Sequence, residues 1–232
     1  MHSRQKLFLT TAFIVVVWQL PYGRELLYPL SLVATFAHEL GHGMTALFCG
    51  AEFESLVLYA DGSGLATWNG NPGRLATAAI ASGGLVGPTV AGVALLLFSG
   101  SPQHARRVLG VLGILVVLSI VLWVRNPFGI LFMLGVAAVC GLASRKFGDR
   151  TASFLLHVVA VTLCLSWFSD IGYMFSSHAI VGGRSMPSDS AHIAQALWLP
   201  FWFWGALIAV FSLALTTLGI WFVSRDTAAA SP

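Results

Sequence analysis

The chain has 232 residues, 57% of them hydrophobic and only 9% charged, with a formal net charge of +3 at pH 7. Soluble domains carry about a quarter charged residues, so composition excludes an ordinary soluble fold and points to a polytopic membrane protein embedded in a lipid bilayer. The positive balance comes mostly from arginines in short connections, where membrane proteins keep theirs, and therefore implies no nucleic-acid partner.

A helix needs about 20 apolar residues to cross the hydrocarbon core. Leu7–Leu20 is the first expected span. Basic Arg4 and Lys6 precede it, but no small-residue cleavage site follows, so it reads as an uncleaved helix. Leu26–Phe48 is the second, Leu75–Phe98 the third and Val108–Val124 the fourth. Pro127–Ala143 is a short fifth, Ala152–Phe175 the sixth and Trp198–Val223 the seventh. The expected fold is an all-α membrane protein, a single-domain bundle of about seven helices. Six would result if the fourth and fifth merge at the tight Val124–Gly129 junction.

Two connections carry more than a turn. Phe53–Trp68 has β-type segments around Ala60-Asp61-Gly62-Ser63-Gly64 and predicts a small β-hairpin after the second helix. The stretch 176–197 is rich in Gly, Ser and His and reads as flexible. Leu197–Gly205, with its five aromatic residues, predicts an anchor at the membrane interface. Charge does not fix orientation. The basic pair at the start favours a cytoplasmic N-terminus, yet seven spans would then put Arg106, Arg107, Arg145, Lys146 and Arg150 outside. Cys49, Cys140 and Cys164 show neither disulfide nor zinc-ribbon spacing.

Within the second span stands His38-Glu39-Leu40-Gly41-His42. Residues i and i+4 share a helix face, so the two imidazoles can grip one metal ion, for which zinc (Zn2+) is the expected identity. Glu39 beside the first ligand can act as general base on a metal-bound water, whose pKa zinc lowers to about 7. Glu39 facing lipid would cost about 2.5–3.5 kcal/mol or more, so an acid here is expected to face the bundle interior and to function there.

Catalytic zinc sites usually take three protein ligands. Of the nine acids, Asp170 in Leu165–Phe175 is the other one embedded in a predicted span, and it is the expected third ligand. In a seven-span bundle its helix runs parallel to the second, and its depth agrees with that of the histidines to within roughly 10 Å. Asp189 is the alternative; its simpler reading is a cap or first-turn acid of a helix. His157 is too far along its span to share a metal with Asp170. His104, His178 and His192 fall in or beside connections, and His2 is terminal.

Phe36–Trp68 resembles the core of the site-2 protease family of intramembrane zinc metalloproteases, in a divergent, short, M50B-like form. The resemblance rests on His38, Glu39, Gly41 and His42, then Gly50, then the hairpin, and extends to Gly87-Pro88 in the third span. It implies a zinc endopeptidase that hydrolyses peptide bonds in or near transmembrane segments of membrane-protein substrates, expected in the cytoplasmic membrane of a bacterium. Where the family carries Asn-Pro-Asp-Gly, this chain has Asn126-Pro127-Phe128-Gly129, so the third ligand has to come from elsewhere. By the same resemblance Asn126 would bind substrate backbone. Two rival functions remain open at this point: an inactive relative that binds membrane partners, and a transporter that moves protons or metal ions.

Overall fold

The computed structural model describes residues 11–13, 16, 17, 20, 22–99 and 102–229. The expected span Leu7–Leu20 lies largely outside them. The described chain runs through α1 (Gly23–Leu26), α2 (Tyr28–Phe48), β1 (Glu52–Leu58), β2 (Gly64–Asn69), α3 (Arg74–Phe98), α4 (Pro102–Leu122) and α5 (Pro127–Arg145). It continues with α6 (Asp149–Ser169), α7 (Ile171–Met174), β3 (His178–Val181), β4 (Arg184–Pro187), α8 (Asp189–Leu197) and α9 (Phe201–Ala229).

Among the described residues five helices are long and apolar enough to cross a membrane: α3, α4, α5, α6 continued through α7, and α9. The expected seven are not reached. Helix α2 has the length, 21 residues or about 31 Å, but His38, Glu39 and His42 lower its hydropathy. The mainly helical architecture with a small hairpin after α2 is as expected.

Local chemistry sets the entry to and exit from α2. Pro29 occupies its first turn, where a missing N–H costs nothing. At the other end Gly50 takes φ +80°, and the Ala51 N–H closes back on the Ala46 carbonyl at 2.9 Å. This glycine-capped termination turns the chain at once into β1.

Strands β1 and β2 pair antiparallel, with Leu56 opposite Ala66 and Leu58 opposite Gly64. The far edge of β1 is held by the α4–α5 junction. Leu56 N–H donates to the Trp123 carbonyl at 2.7 Å, and Arg125 N–H donates to the Leu56 carbonyl at 3.1 Å. One residue on, the Asn126 side chain acts as a short strand: its Nδ2 donates to the Leu58 carbonyl at 2.6 Å and its Oδ1 accepts from Leu58 N–H at 3.2 Å. The junction that left the helix count ambiguous is thus a clamp for the hairpin.

Helix α3 presses on α2 and α6 through glycine. A Cβ on Gly41 would fall 2.3 Å from the Gly83 carbonyl oxygen, and one on Gly92 would fall 2.6 Å from Cys164 N of α6. Small residues at four-residue spacing allow such approach in lipid, where close packing replaces the hydrophobic drive.

The stretch read as flexible is built differently. Gly182 and Gly183 both have positive φ, 55° and 77°, and join β3 to β4 by the two-residue turn whose twist suits a hairpin. Helix α8 then follows, capped by Ser188, whose side chain accepts from Ala191 N–H. Gly, Ser and His content signals irregular chain, but the Gly-Gly pair is a specific hairpin turn.

Candidate metal centre

One helical turn brings His38 and His42 onto the same face of α2, with their Nε2 atoms 3.1 Å apart. The chain returns 151 residues later to place Asp189 Oδ2 3.0 Å from His38 Nε2 and 3.3 Å from His42 Nε2. These three atoms form the group among the described residues able to hold a metal ion.

The donor set fits zinc. Bonds of about 2.0–2.2 Å put the edges of a tetrahedron near 3.3–3.6 Å, and the observed triangle is within about 0.3 Å of that range. His42 Nδ1 lies 2.8 Å from the Ile80 carbonyl, which can only accept. Its proton therefore sits on Nδ1, and the Nε2 lone pair points at the other two atoms. Two ring nitrogens and a carboxylate oxygen converge, a donor set that could hold a metal ion.

Glu39 is 6% exposed and belongs to a different contact. Its Oε2 accepts the Ala66 N–H of β2 at 2.7 Å. Leu56 directs its N–H and carbonyl to the α4–α5 junction, so its partner Ala66 presents its own N–H to the outer edge of β2, where Glu39 takes it. The fit depends on Gly64, where a Cβ would come 2.6 Å from Glu39 Cγ. Gly84 of α3 leaves room for His42 in the same way, since a Cβ there would fall 2.1 Å from Nε2.

The expected residues thus divide. His38, His42 and the alternative acid Asp189 come together, with Glu39 beside them. Asp170, the acid expected as third ligand, is outside this group. Helix α6 ends at Ser169, and Asp170 caps the turn into α7, where it lines a cavity that His38 and Glu39 also border. Asn126, expected to bind substrate backbone, has both amide atoms engaged with Leu58. In this structure those contacts tie it to β1 of the hairpin.

Sequence reasoning missed the supports of Asp189. Ser188 Oγ donates to the Ser176 carbonyl at 2.5 Å, Ser190 Oγ donates to the Met174 carbonyl at 2.7 Å, and Asp189 N–H donates to the Tyr173 hydroxyl at 3.1 Å. Tyr173 also sets its ring edge-on to His38, with centroids 6.0 Å apart. No local pattern marks a tyrosine for this task.

Tyr173→Phe keeps the ring but removes the acceptor for Asp189 N–H. A buried donor left unmade costs about 1–3 kcal/mol, and outer partners of metal ligands set affinity by about 10–100-fold. Zinc affinity of the full chain, measured by chelator competition, is expected to fall about tenfold, within that range. Unaltered affinity would mean that Asp189 is held without Tyr173.

A peptidase M50B-like family model matches residues 7–219 of the chain. No curated protein and no solved structure matches it.

Proposed function

The chain belongs to the peptidase M50B-like family, the site-2 protease group, and from that premise we propose that it is an intramembrane zinc endopeptidase cleaving peptide bonds in or near transmembrane segments of other proteins. The observation that carries this reading is the triangle of His38, His42 and Asp189 with Glu39 fixed beside it. Zinc held by those three residues would polarise the scissile carbonyl and acidify water at neutral pH.

The chain's own groups do the rest. Hydrogen bonding to Ala66 keeps Glu39 Oε2 in place, so Oε1 is the oxygen that takes a proton from the attacking water and returns it to the leaving amine. Asp189 and the Ile80 carbonyl fix the two imidazoles. A helical peptide bond is protected by its own hydrogen bonds and has to be opened first. The outer edge of β2, from Gly64 to Trp68, borders a second cavity of about 370 Å³ shared with His38, His42 and Asp189. An extended substrate segment would add there as a strand.

The convergence of His38, His42 and Asp189 beside Glu39 supports hydrolysis over transport. The test is metal removal. Purified full-length protein is expected to hold one zinc per chain and to cleave a transmembrane-segment substrate in proteoliposomes. Chelation should abolish cleavage, and added zinc should restore it. Cleavage that survives complete removal of the metal would overturn the proposal.

A further inference from the structure

Beside Glu39 a cavity of about 620 Å³ opens between α2, α6 and the two hairpins. Each helix lines it with a polar stripe at four-residue spacing: Ser31, Thr35 and Glu39 on α2, and Thr162 and Ser166 on α6 with Asp170 at its C-terminal cap. Such spacing puts each set on one helix face. In a membrane-spanning bundle a polar face of this kind marks function.

Most of its polar groups are already spoken for within the chain. Ser31 bonds back to the Leu27 carbonyl, and Thr35 to the carbonyls of Ser31 and Gly62. The Thr162 hydroxyl is buried, with no accessible surface toward the cavity. The Asp170 carboxylate is met by Ser169 Oγ at 3.2 Å and takes part in no ion pair among the described residues. Among the described residues no Lys or Arg lines the cavity, while Asp61 adds another carboxylate. Water alone would leave Asp170 without a close cationic partner among them. A lone inorganic cation would leave most of the space empty.

We propose that this cavity is a subsite for a basic side chain of the substrate, lysine or arginine, with Asp170 as its charge partner. The inference rests on the protease reading and specifies its substrate. Ammonium and guanidinium groups bring three and five donors and no acceptor, which matches a wall of carboxylates and hydroxyls. A basic residue in a transmembrane segment is costly in lipid, and transfer to this cavity relieves that cost. The subsite therefore selects segments carrying such a residue near the cleaved bond.

The experiment uses transmembrane-segment peptides in which arginine, lysine or glutamine is scanned through the positions flanking the cleaved bond. Cleavage is measured with the full-length protein, and binding with its Glu39→Gln variant. Expected is one position at which the basic residue raises kcat/KM and affinity at least tenfold over glutamine. Asp170→Asn should bring that ratio near unity, and Asp170→Glu should keep most of it. The inference falls if no position shows a preference, if Asp170→Asn keeps it, or if Asp170→Asn loses zinc, since Asp170 would then act through the metal centre. Should the wild type cleave nothing, the protease reading fails on its own, while the binding measurement still decides whether the cavity takes a cation.

Discussion

Glu39→Gln is expected to lower the rate of peptide cleavage by about 10²–10⁴-fold, the usual contribution of a positioned general base, while zinc stays bound. The substitution is close to isosteric. A glutamine carbonyl oxygen can still accept the Ala66 N–H that Oε2 now accepts at 2.7 Å, so the side chain has the same anchor on β2. It cannot take a proton from water at neutral pH. Glu39 is not among the three residues that could hold the ion, so zinc affinity should match the wild type. Single-turnover cleavage in proteoliposomes, with zinc measured on the same sample, provides the check. Undiminished cleavage would remove Glu39 from the chemistry. Lost zinc would make it part of the metal's support.

The second expected result concerns which aspartate holds the metal. Asp189→Asn should weaken zinc binding by about two orders of magnitude, because structural zinc sites gain about 10–16 kcal/mol from four ligands, or roughly 3 kcal/mol per ligand, and 1.4 kcal/mol is about a factor of ten. Asp170→Asn should leave zinc affinity at the wild-type level. The geometry behind this contrast is plain. Asp189 Oδ2 is 3.0 and 3.3 Å from the two ring nitrogens, whereas Asp170 is outside the group and bonds to Ser169. Chelator competition on the two purified variants decides it, and the opposite ranking would return Asp170 to the third position.

Gly84 and Gly64 show how narrow the arrangement is. Each leaves the space that a functional side chain fills, Gly84 for the His42 ring and Gly64 for the Glu39 stem. Both lie in segments whose glycines have ordinary local readings, a small-residue packing face in α3 and the start of a strand after a turn. Which side chain enters the space is visible only once the elements are assembled.

The amino-acid sequence by itself determined the membrane class, the spans α3, α4, α5, α6 and α9, the first hairpin, and the pairing of His38 with His42 beside Glu39. Each of these follows from short-range rules: the length of an apolar run, alternation along a strand, and the four-residue return of a helix face. Only the tertiary structure decided that Asp189 rather than Asp170 joins the histidines, that Asn126 clamps β1, and that Thr162 and Asp170 share a cavity with Glu39. Those outcomes depend on where a chain comes back after 68 to 151 residues, and helix period and hydropathy hold no record of that return. Asp189 could be read locally as a first-turn acid of α8, which it is. Its second role exists because α7, the Gly182-Gly183 turn and the serine contacts of α8 fold that turn onto α2.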